Sequence, residues 1–339
     1  MKAQESASRR VTKCPFEPWF LERIHSARHV VVMTHVDPDA DGLGSQLAFA
    51  LAARAAGKRV DVVNEDPCPP RYQWIDPQGQ IGGYDECAER LQGADLGLIF
   101  DANELGRARR PAAALTAAGC DVWVVDHHRL ADDAAVSGCV ATEFSSTGEL
   151  TYRLIESLGW TLTEVGAAAI YAAISFDTGS FRFLRNQPNT LKVAANLLEA
   201  GIDTNPIQEA LWANRPFDET ILLGRIISAI ERSEDGSIAW VVVQPEMTEG
   251  LNLGPGAAGE AMPSVIGIEG VVAAAMIKPG RRAGEWKVSL RSKTAAEIGH
   301  IAVARGGGGH AHAAGCTLSA PIDSWLDTLL AELHLAANA

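Results

Sequence analysis

Short apolar segments alternate with Ala- and Leu-rich amphipathic segments along the first half of the chain. Two of the apolar segments, His29–Thr34 and Arg59–Asn64, are Val-rich runs that predict buried strands. Strands that alternate with helices indicate a parallel sheet with helices on both faces. Further strands are predicted at residues 95–100 and 121–125, and helices at residues 43–56, 84–91, 107–118, 146–158 and 164–175.

The pattern changes after residue 188. Three segments with helical periodicity follow one another without an intervening strand, which indicates a helical connector. Strands are predicted again at residues 238–244, 271–277 and 286–291. We therefore predict an α/β protein with three parts. They are a parallel-sheet domain over residues 1–188, a helical connector over residues 189–232, and a smaller mixed α/β domain over residues 233–339.

Composition and charge exclude several classes of protein. The 339 residues suffice for two domains, and 47% hydrophobic with 21% charged residues excludes wholesale disorder. No apolar run approaches the ~18–20 residues that span a membrane. A net charge of −13 argues against a protein that coats long nucleic acid, which needs a basic surface. Six scattered cysteines without a CxxC pair predict reduced thiols and a cytoplasmic protein.

Polar side chains follow three of the predicted strands, at the point where each strand ends, and one further acid ends an apolar helix. In an open parallel sheet, ligands bind outside the carboxyl ends of the strands. We therefore expect these side chains to meet at one edge of the sheet. They are His35, Asp39 and Asp41 after the first strand, Asp101 after the third, Asp126, His127 and His128 after the fourth, and Asp177 at the end of the helix.

Four carboxylates at one edge would repel one another unless cations lie between them. Two divalent ions would cancel their charge, and oxygen-rich ligation with one or two imidazoles suits Mn²⁺ or Mg²⁺. Taken singly, each acid is more typical of a helix N-cap or a turn. Because adjacent residues in an extended segment point in opposite directions, we expect His127 to face the metals and His128 the substrate phosphate.

The second half contains a glycine run at residues 306–309, followed by His310. Its backbone N–H groups are suited to approach a phosphate with His310 as a further donor, although a flexible loop is the simpler interpretation. The Ala-Ala-Gly sequence at residues 313–315 is expected to allow close helix packing. Ser289 and Arg291, at the end of a predicted strand, are suited to hold an anion.

Together these motifs resemble the DHH family of phosphoesterases with a DHH-associated C-terminal domain. Within that family the chain is similar to the nanoRNase/pAp-phosphatase, or oligoribonuclease, type. The resemblance covers nearly the whole chain. It rests on HxxPDxDxxGS at residues 35–45, Asp101, Asp-His-His at 126–128, Ser-Ser-Thr-Gly-Glu at 145–149, Asp-Thr-Gly-Ser-Phe-Arg at 177–182 and GGGHxxAAG at 307–315.

The resemblance implies a role for each of these residues and two divalent cations, with Mn²⁺ as the first expectation and Mg²⁺ or Co²⁺ as alternatives. The implied metal ligands are His35, Asp39 and Asp101 for one ion, and Asp41, Asp101, His127 and Asp177 for the other. Asp126 is implied to orient a ligand imidazole. The implied catalytic residues are Asp101, His128 and His310, and the implied substrate contacts are Arg291, Ser289, His310, Gly308, Gly309 and Arg182.

The function implied by the resemblance is that of a Mn²⁺-dependent phosphodiesterase, an exoribonuclease that degrades dinucleotides to RNA of a few nucleotides into nucleoside monophosphates. Conversion of adenosine 3′,5′-bisphosphate (pAp) to AMP is the expected side activity. One alternative is a cyclic or linear di-adenylate phosphodiesterase in second-messenger turnover. Another is a non-catalytic nucleotide sensor or RNA-binding module. The expected partners are short RNA or small nucleotides, with neither long nucleic acid nor a membrane, and the resemblance is compatible with a homodimer.

Overall fold

The computed structural model describes residues 10–130, 134–184, 187–254, 256–280, 282–293 and 296–339, and the side chain of His310 lies outside that description. The chain divides into two compact units between Asn214 and Arg215. No helix in the described ranges is long and apolar enough to cross a membrane.

Within the described residues, the first unit is built on seven parallel strands. They are β1 (Val11–Thr12), β2 (His29–Thr34), β3 (Arg59–Asn64), β4 (Ile81–Gly83), β5 (Leu96–Phe100), β6 (Asp121–Asp126) and β7 (Gly138–Val140). Their order in the sheet is β1-β7-β6-β5-β2-β3-β4. The helices are α1 (Pro18–Ser26), α2 (Ala40–Ala55), α3 (Tyr84–Cys87), α4 (Arg109–Ala117), α5 (Thr147–Ser157), α6 (Glu164–Asp177), α7 (Pro188–Glu199) and α8 (Thr204–Trp212).

The central strands are apolar because both faces of this sheet are buried. All six residues of β2 are buried, with Val30 and Val32 in one hydrophobic cluster and Val31 and Met33 in another. On the first of these faces α2 and α6 approach closely, since a Cβ added at Gly44 would lie 2.4 Å from a backbone oxygen of α6. This contact brings the start of α2 and the end of α6 to the same region of the unit.

The second unit contains a mixed six-stranded sheet. Its strands are β8 (Glu231–Arg232), β9 (Ile238–Val242), β10 (Ala273–Pro279), β11 (Trp286–Ser292), β12 (Gly308–His310) and β13 (Ala313–Leu318), in the order β12-β13-β11-β10-β9-β8. Only the β9–β10 pair among these is parallel. The helices are α9 (Phe217–Ser228), α10 (Met262–Ile266), α11 (Gly299–Val303) and α12 (Leu326–Ala337).

The predicted α/β class is confirmed, and the predicted bounds of β2 and β3 match the structure. The hydrophobic pattern did not predict β1, β4, β7, β8, β12 or β13. Five of these have only two or three residues, too few to show a periodicity, and the six-residue β13 begins with Ala-Ala-Gly, residue types that are depleted in strands. The three segments predicted as connector helices are α7, α8 and α9. Of these, α7 and α8 belong to the first unit and α9 to the second.

Candidate active site

The carboxyl ends of β2, β5 and β6 lie side by side, because these three strands are neighbours and run parallel. The residues that follow β2 and β5 meet there. His35 Nε2 lies 3.4 Å from Asp101 Oδ2 and 3.9 Å from Asp39 Oδ2. His35 and Asp101 are buried, whereas the Asp39 side chain is partly exposed. These three residues form the first ligand group.

A second ligand group surrounds His127. Its Nε2 lies 3.2 Å from Asp177 Oδ2 and 3.9 Å from Asp41 Oδ2. The same nitrogen is 3.9 Å from Asp101 Oδ1. Asp101 therefore presents one carboxylate oxygen to each group, and within each of the sets His35/Asp39/Asp101 and Asp41/His127/Asp177 the ligand atoms lie within 4.8 Å of one another. Asp101 has a φ of 59°, a left-handed conformation that a non-glycine residue adopts at a cost and that is enriched at functional sites.

Asp39 both caps α2 and faces the site. Its Oδ1 accepts the backbone N–H groups of Asp41 (3.0 Å) and Gly42 (3.2 Å), while its Oδ2 is the oxygen turned toward His35. The ordinary N-cap interpretation of this acid and the metal-ligand interpretation are thus compatible. Gly42 lets the start of α2 lie against β2, since a Cβ there would be 2.2 Å from the hydroxyl of Thr34.

The start of α5 holds two of the carboxylates. The backbone N–H groups of Thr147 and Gly148 each donate to Asp41 at 2.8 Å. The Thr147 hydroxyl donates to Asp101 Oδ1 at 3.0 Å. A helix N-terminus is a favourable environment for negative charge, which suits the fully buried Asp41. Our residue-level assignment gave Thr147 no role. The signal was present in the Ser-Ser-Thr-Gly-Glu motif, whose Ser146 caps this helix by accepting the backbone N–H of Glu149.

Hydrogen bonds to backbone carbonyls orient both buried imidazoles. His35 Nδ1 lies 2.7 Å from the Val36 oxygen, and His127 Nδ1 lies 3.3 Å from the Phe144 oxygen. Because a carbonyl can only accept, each Nδ1 carries the hydrogen, and in the neutral ring the lone pair is on Nε2. Both lone pairs then point at carboxylate oxygens. With neutral rings that arrangement is repulsive by itself, and a divalent cation between the groups would stabilise it. Without a cation, burial lowers the pKa of His35 but the contact with Asp101 raises it overall, so the ring then favours protonation.

The pKa values of the buried carboxylates also favour bound cations. Burial raises the pKa of Asp41 well above its usual value, and the charges of Asp101, Asp177 and Asp39 raise it further. Burial also raises the pKa of Asp101, despite the opposing effect of its contact with His35. Buried acids that resist ionisation are stabilised as carboxylates when cations bind beside them. The donor set of carboxylates and imidazoles therefore fits two divalent ions of the Mn²⁺ or Mg²⁺ type.

His127 and His128 lie on the same side of the chain, so the prediction that they point in opposite directions is wrong. Their ring centroids are 4.4 Å apart, and both rings approach Asp101. The alternation of an extended segment does not reach them because β6 ends at Asp126. His127 is buried and His128 is partly exposed.

Asp126 contacts a different imidazole from the one expected. Its Oδ1 lies 2.9 Å from His128 Nδ1 and accepts the backbone N–H of His127 at 2.9 Å. The ring that it orients is therefore that of His128, which we assigned to substrate, rather than that of an assigned ligand. Burial would lower the pKa of His128, but the hydrogen bond to Asp126 and the charges of Asp126, Asp101 and Asp177 raise that pKa to about 9.

The candidate substrate residues of the second unit occupy adjacent positions on its sheet. Residues two apart on a strand share a face, so Ser289 and Arg291 face the same way on β11, while Val288 and Leu290 are buried on the other face. Register pairs Ser289 with Gly315 and Gly315 with Gly308. It also pairs Arg291 with Ala313 and Ala313 with His310. The small residues of β13 thus separate the two candidate anion-binding strands.

The end of the glycine run lies in β12 (Gly308–His310) rather than in a flexible loop, and residues 313–315 belong to β13. Residues 313–315 pair with both neighbouring strands, and Ala314 also lies in the hydrophobic cluster that contains Ile301 and Ala302 of α11, so the strand packs against a helix as expected. A Cβ at Gly309 would lie 2.4 Å from the Ala313 oxygen. In the described part of the chain, no atom outside its immediate neighbours lies within 4 Å of a Cβ built at Gly308. Gly308 is thus accessible on its open side.

Arg182 lies in the turn that follows Asp177 at the end of α6. Its side chain is exposed, and its Nε donates to the Gly179 oxygen at 2.6 Å. The structure thus gathers the candidate metal ligands, Asp126 and His128 in the first unit, with Arg182 in the adjoining turn. It arranges Ser289, Arg291, Gly308, Gly309 and the backbone of His310 on neighbouring strands of the second unit.

Comparison with known proteins adds a family match over most of the chain. Residues 29–174 match the DHH family, N-terminal domain, and residues 235–338 match the DHHA1 domain. Over 293 residues the chain is 29% identical to the Thermus thermophilus protein named bifunctional oligoribonuclease and PAP phosphatase NrnA, covering 85% of this chain and 84% of that protein.

Two solved structures show that the fold is shared. An exopolyphosphatase-related protein from Bacteroides fragilis superposes with a TM-score of 0.85 at 24% identity, over 94% of this chain and 96% of that one. RecJ from Thermus thermophilus in complex with Mn²⁺ superposes with a TM-score of 0.52 at 17% identity, over 94% of this chain and 53% of that one.

Proposed function

This chain belongs to the DHH family of phosphoesterases and carries a DHHA1 domain, and on that premise we propose that it hydrolyses very short RNA to nucleoside monophosphates with two divalent cations. The observation that carries the proposal is the position of Asp101, whose two oxygens face two separate groups of ligands. A shared carboxylate is the arrangement that places two cations close together for phosphoryl transfer.

The first cation would be held by His35, Asp39 and Asp101, and the second by Asp41, Asp101, His127 and Asp177. Divalent cations bound in this way supply Lewis acidity and neutralise charge on a phosphoryl group. The oxygen-rich donor set supports Mn²⁺ as the first candidate, as does the Mn²⁺ complex of RecJ, with Mg²⁺ and Co²⁺ as alternatives.

His128 has a separate task in this proposal. Its Nδ1 donates to Asp126, and despite burial this hydrogen bond favours the protonated ring. A protonated imidazole at the partly exposed side of the site is suited to bind a phosphate oxygen and to give a proton to the leaving oxygen. In the second unit, Arg291, Ser289 and His310 would hold the terminal phosphate, and the open side of Gly308 lets a phosphate approach the backbone.

Short substrates are favoured by charge. The chain carries a net charge of −13, which disfavours the many phosphate contacts that long nucleic acid requires. The name of the Thermus thermophilus relative, a bifunctional oligoribonuclease and PAP phosphatase, supports both an oligoribonuclease activity and a pAp phosphatase activity. We therefore assign dinucleotides and slightly longer RNA as the main substrates and pAp as a second one.

The test compares initial rates on three substrates with purified protein and Mn²⁺: a 5′-phosphorylated RNA dinucleotide, pAp and cyclic di-AMP. We expect the dinucleotide to be consumed fastest, with slower release of phosphate from pAp. Faster hydrolysis of cyclic di-AMP would move the protein to second-messenger turnover. Nucleotide binding without hydrolysis of any substrate would contradict an enzymatic function.

A further inference from the structure

The turn that follows Asp177 has an unusual backbone. Gly179, Ser180 and Phe181 have φ values of 57°, 60° and 63°, so three consecutive residues adopt the left-handed conformation. Two of them are not glycine, and such a conformation persists only where the surroundings enforce it. The turn reverses the chain, because the backbone N–H of Phe183 donates to the Thr178 oxygen at 2.9 Å.

Gln208 of α8 holds this turn against α6. The Ser180 hydroxyl donates to Gln208 Oε1 at 3.1 Å, and Gln208 Nε2 donates to Ser175 Oγ at 3.0 Å and to Tyr171 Oη at 3.2 Å. One amide thus joins the turn to two positions on the helix that carries Asp177. The turn is therefore preorganised relative to the candidate metal centre rather than being an independent loop.

The side chain of Phe183 lies on this turn and is exposed to solvent. A Cβ added at Gly179 would lie 3.1 and 3.2 Å from two atoms of the Phe183 ring, so one side of the ring packs against the backbone of Gly179. Even so, 67% of the residue is exposed. Arg182 lies beside it, with its guanidinium carbon 5.8 Å from the ring centroid. An aromatic ring is thus held in place while most of its surface is open.

We propose that Phe183 is a stacking platform for a nucleobase of the substrate, with the Arg182 guanidinium beside it. This inference rests on the proposed function and specifies which side chain contacts the base. Gly179 is the second residue after Asp177, so their Cα atoms are at most about 7 Å apart. A base can therefore reach the ring while its attached phosphate is at the Asp177 carboxylate. Stacking on an aromatic ring accepts every base, so this contact binds short RNA without regard to sequence.

The experiment combines variants of residue 183 with removal of the base. Steady-state kinetics are measured for wild type, Phe183→Ala, Phe183→Leu and Phe183→Trp on an RNA dinucleotide and on two analogues, each lacking one base. We expect Phe183→Ala to raise KM for the dinucleotide about 5- to 100-fold with kcat nearly unchanged. Phe183→Trp restores a low KM, and Phe183→Leu does not. For the analogue that lacks the stacked base, wild type already has a high KM, and Phe183→Ala does not raise that KM further.

The matched control is Phe217→Ala, which removes another highly exposed phenylalanine, 78% exposed, from α9 of the second unit. It should leave KM unchanged. If Phe183→Ala raises KM equally for the dinucleotide and for both analogues, the inference is overturned. It is also overturned if Phe217→Ala raises KM for the dinucleotide as much as Phe183→Ala does. An unchanged KM for the dinucleotide in a folded Phe183→Ala would also overturn the inference. The exposed ring would then be explained by an interface with another protein.

Failure of the proposed function is distinguishable from failure of this inference. If wild type does not hydrolyse the dinucleotide, the proposed function fails. The ring is then tested by equilibrium binding of AMP with Mn²⁺, comparing wild type, Phe183→Ala and Phe217→Ala by calorimetry. Weaker binding only in Phe183→Ala supports the stacking role, and equal binding in all three overturns it. If Phe183→Ala does not fold, Phe183→Leu replaces it. A KM that rises in Phe183→Leu for the dinucleotide but not for the analogue without the stacked base supports the stacking role, and an equal rise for both overturns it.

Discussion

The hydroxyl of Thr147 donates to Asp101 Oδ1 at 3.0 Å, while the backbone N–H of the same threonine donates to Asp41 Oδ2 at 2.8 Å. One residue at the start of α5 therefore orients two carboxylates that come from other elements. All three side chains are buried, so water cannot substitute for a missing donor. This contact determines which lone pairs of Asp101 remain available to the two ligand groups.

The substitution Thr147→Val should weaken metal binding without removing a ligand. The valine side chain would keep the shape and the backbone N–H to Asp41 but lose the donor to Asp101. We expect the affinity for Mn²⁺ to fall about 10- to 100-fold, as for other partners that orient ligands, and activity to recover at high Mn²⁺. Thr147→Ser keeps the hydroxyl and is the control. Equal Mn²⁺ titration curves for the two variants would show that the hydrogen bond has no such role.

Replacing Asp101 by Asn or His127 by Ala should abolish turnover. Asp101→Asn removes the carboxylate that both groups share, and His127→Ala removes the imidazole of the second group. We expect a rate loss of about 10³-fold or more and fewer than two Mn²⁺ per chain by elemental analysis. Asp37→Asn is the control. It makes the same chemical change at an exposed residue whose φ of 51° suits Asn. Retained turnover in either ligand variant contradicts the assignment.

The stability of the metal-free protein should fall as the pH rises. The folded-state pKa of His128 is raised from 6.5 to about 9, so its contribution is fully present below pH 6.5 and is lost as the pH rises through 9. The corresponding change in the free energy of unfolding is up to about 3 kcal/mol. The raised pKa values of His35 and Asp41 act in the same direction. Urea unfolding of chelator-treated protein across this range measures the effect.

The control for that measurement is a pair of histidine variants. His128→Asn should flatten the pH dependence, whereas His25→Asn, which removes an exposed histidine, should leave it in place. A metal-free wild type whose stability is constant or rises between pH 6.5 and 9 would contradict the assigned direction of the His128 shift.

Two neighbouring glycines of the second unit should respond differently to alanine. A Cβ at Gly308 has open space, so Gly308→Ala should keep the melting temperature of wild type. Its methyl group would occupy the path by which a phosphate approaches, and we expect KM to rise about tenfold or more. Gly309 has a φ of 131°, and a Cβ there would lie 2.4 Å from the Ala313 oxygen. Gly309→Ala should therefore destabilise the unit by about 2–4 kcal/mol. Thermal unfolding and dinucleotide kinetics of both variants test this contrast, which fails if Gly308→Ala binds substrate normally.

The sequence by itself determined the α/β class, the bounds of β2 and β3, and the edge of the sheet where His35 and Asp101 meet. These features depend on local patterns. A Val-rich run signals a buried strand, and polar residues directly after it must lie at its carboxyl end. The strands of two or three residues were not predictable in this way, because their backbone partners rather than their side chains define them.

Tertiary structure alone decided how the side chains are partnered. Thr147 and Asp101 are 46 residues apart, and their contact exists because α5 begins beside the end of β5. The end of β6 at Asp126 placed His127 and His128 on one side and gave Asp126 its contact with His128. Strand register set Ser289 and Gly308 on one row of the second sheet. Such contacts arise where distant segments of the chain approach one another. Packing of the whole core determines that approach, and residue spacing along the chain does not encode it.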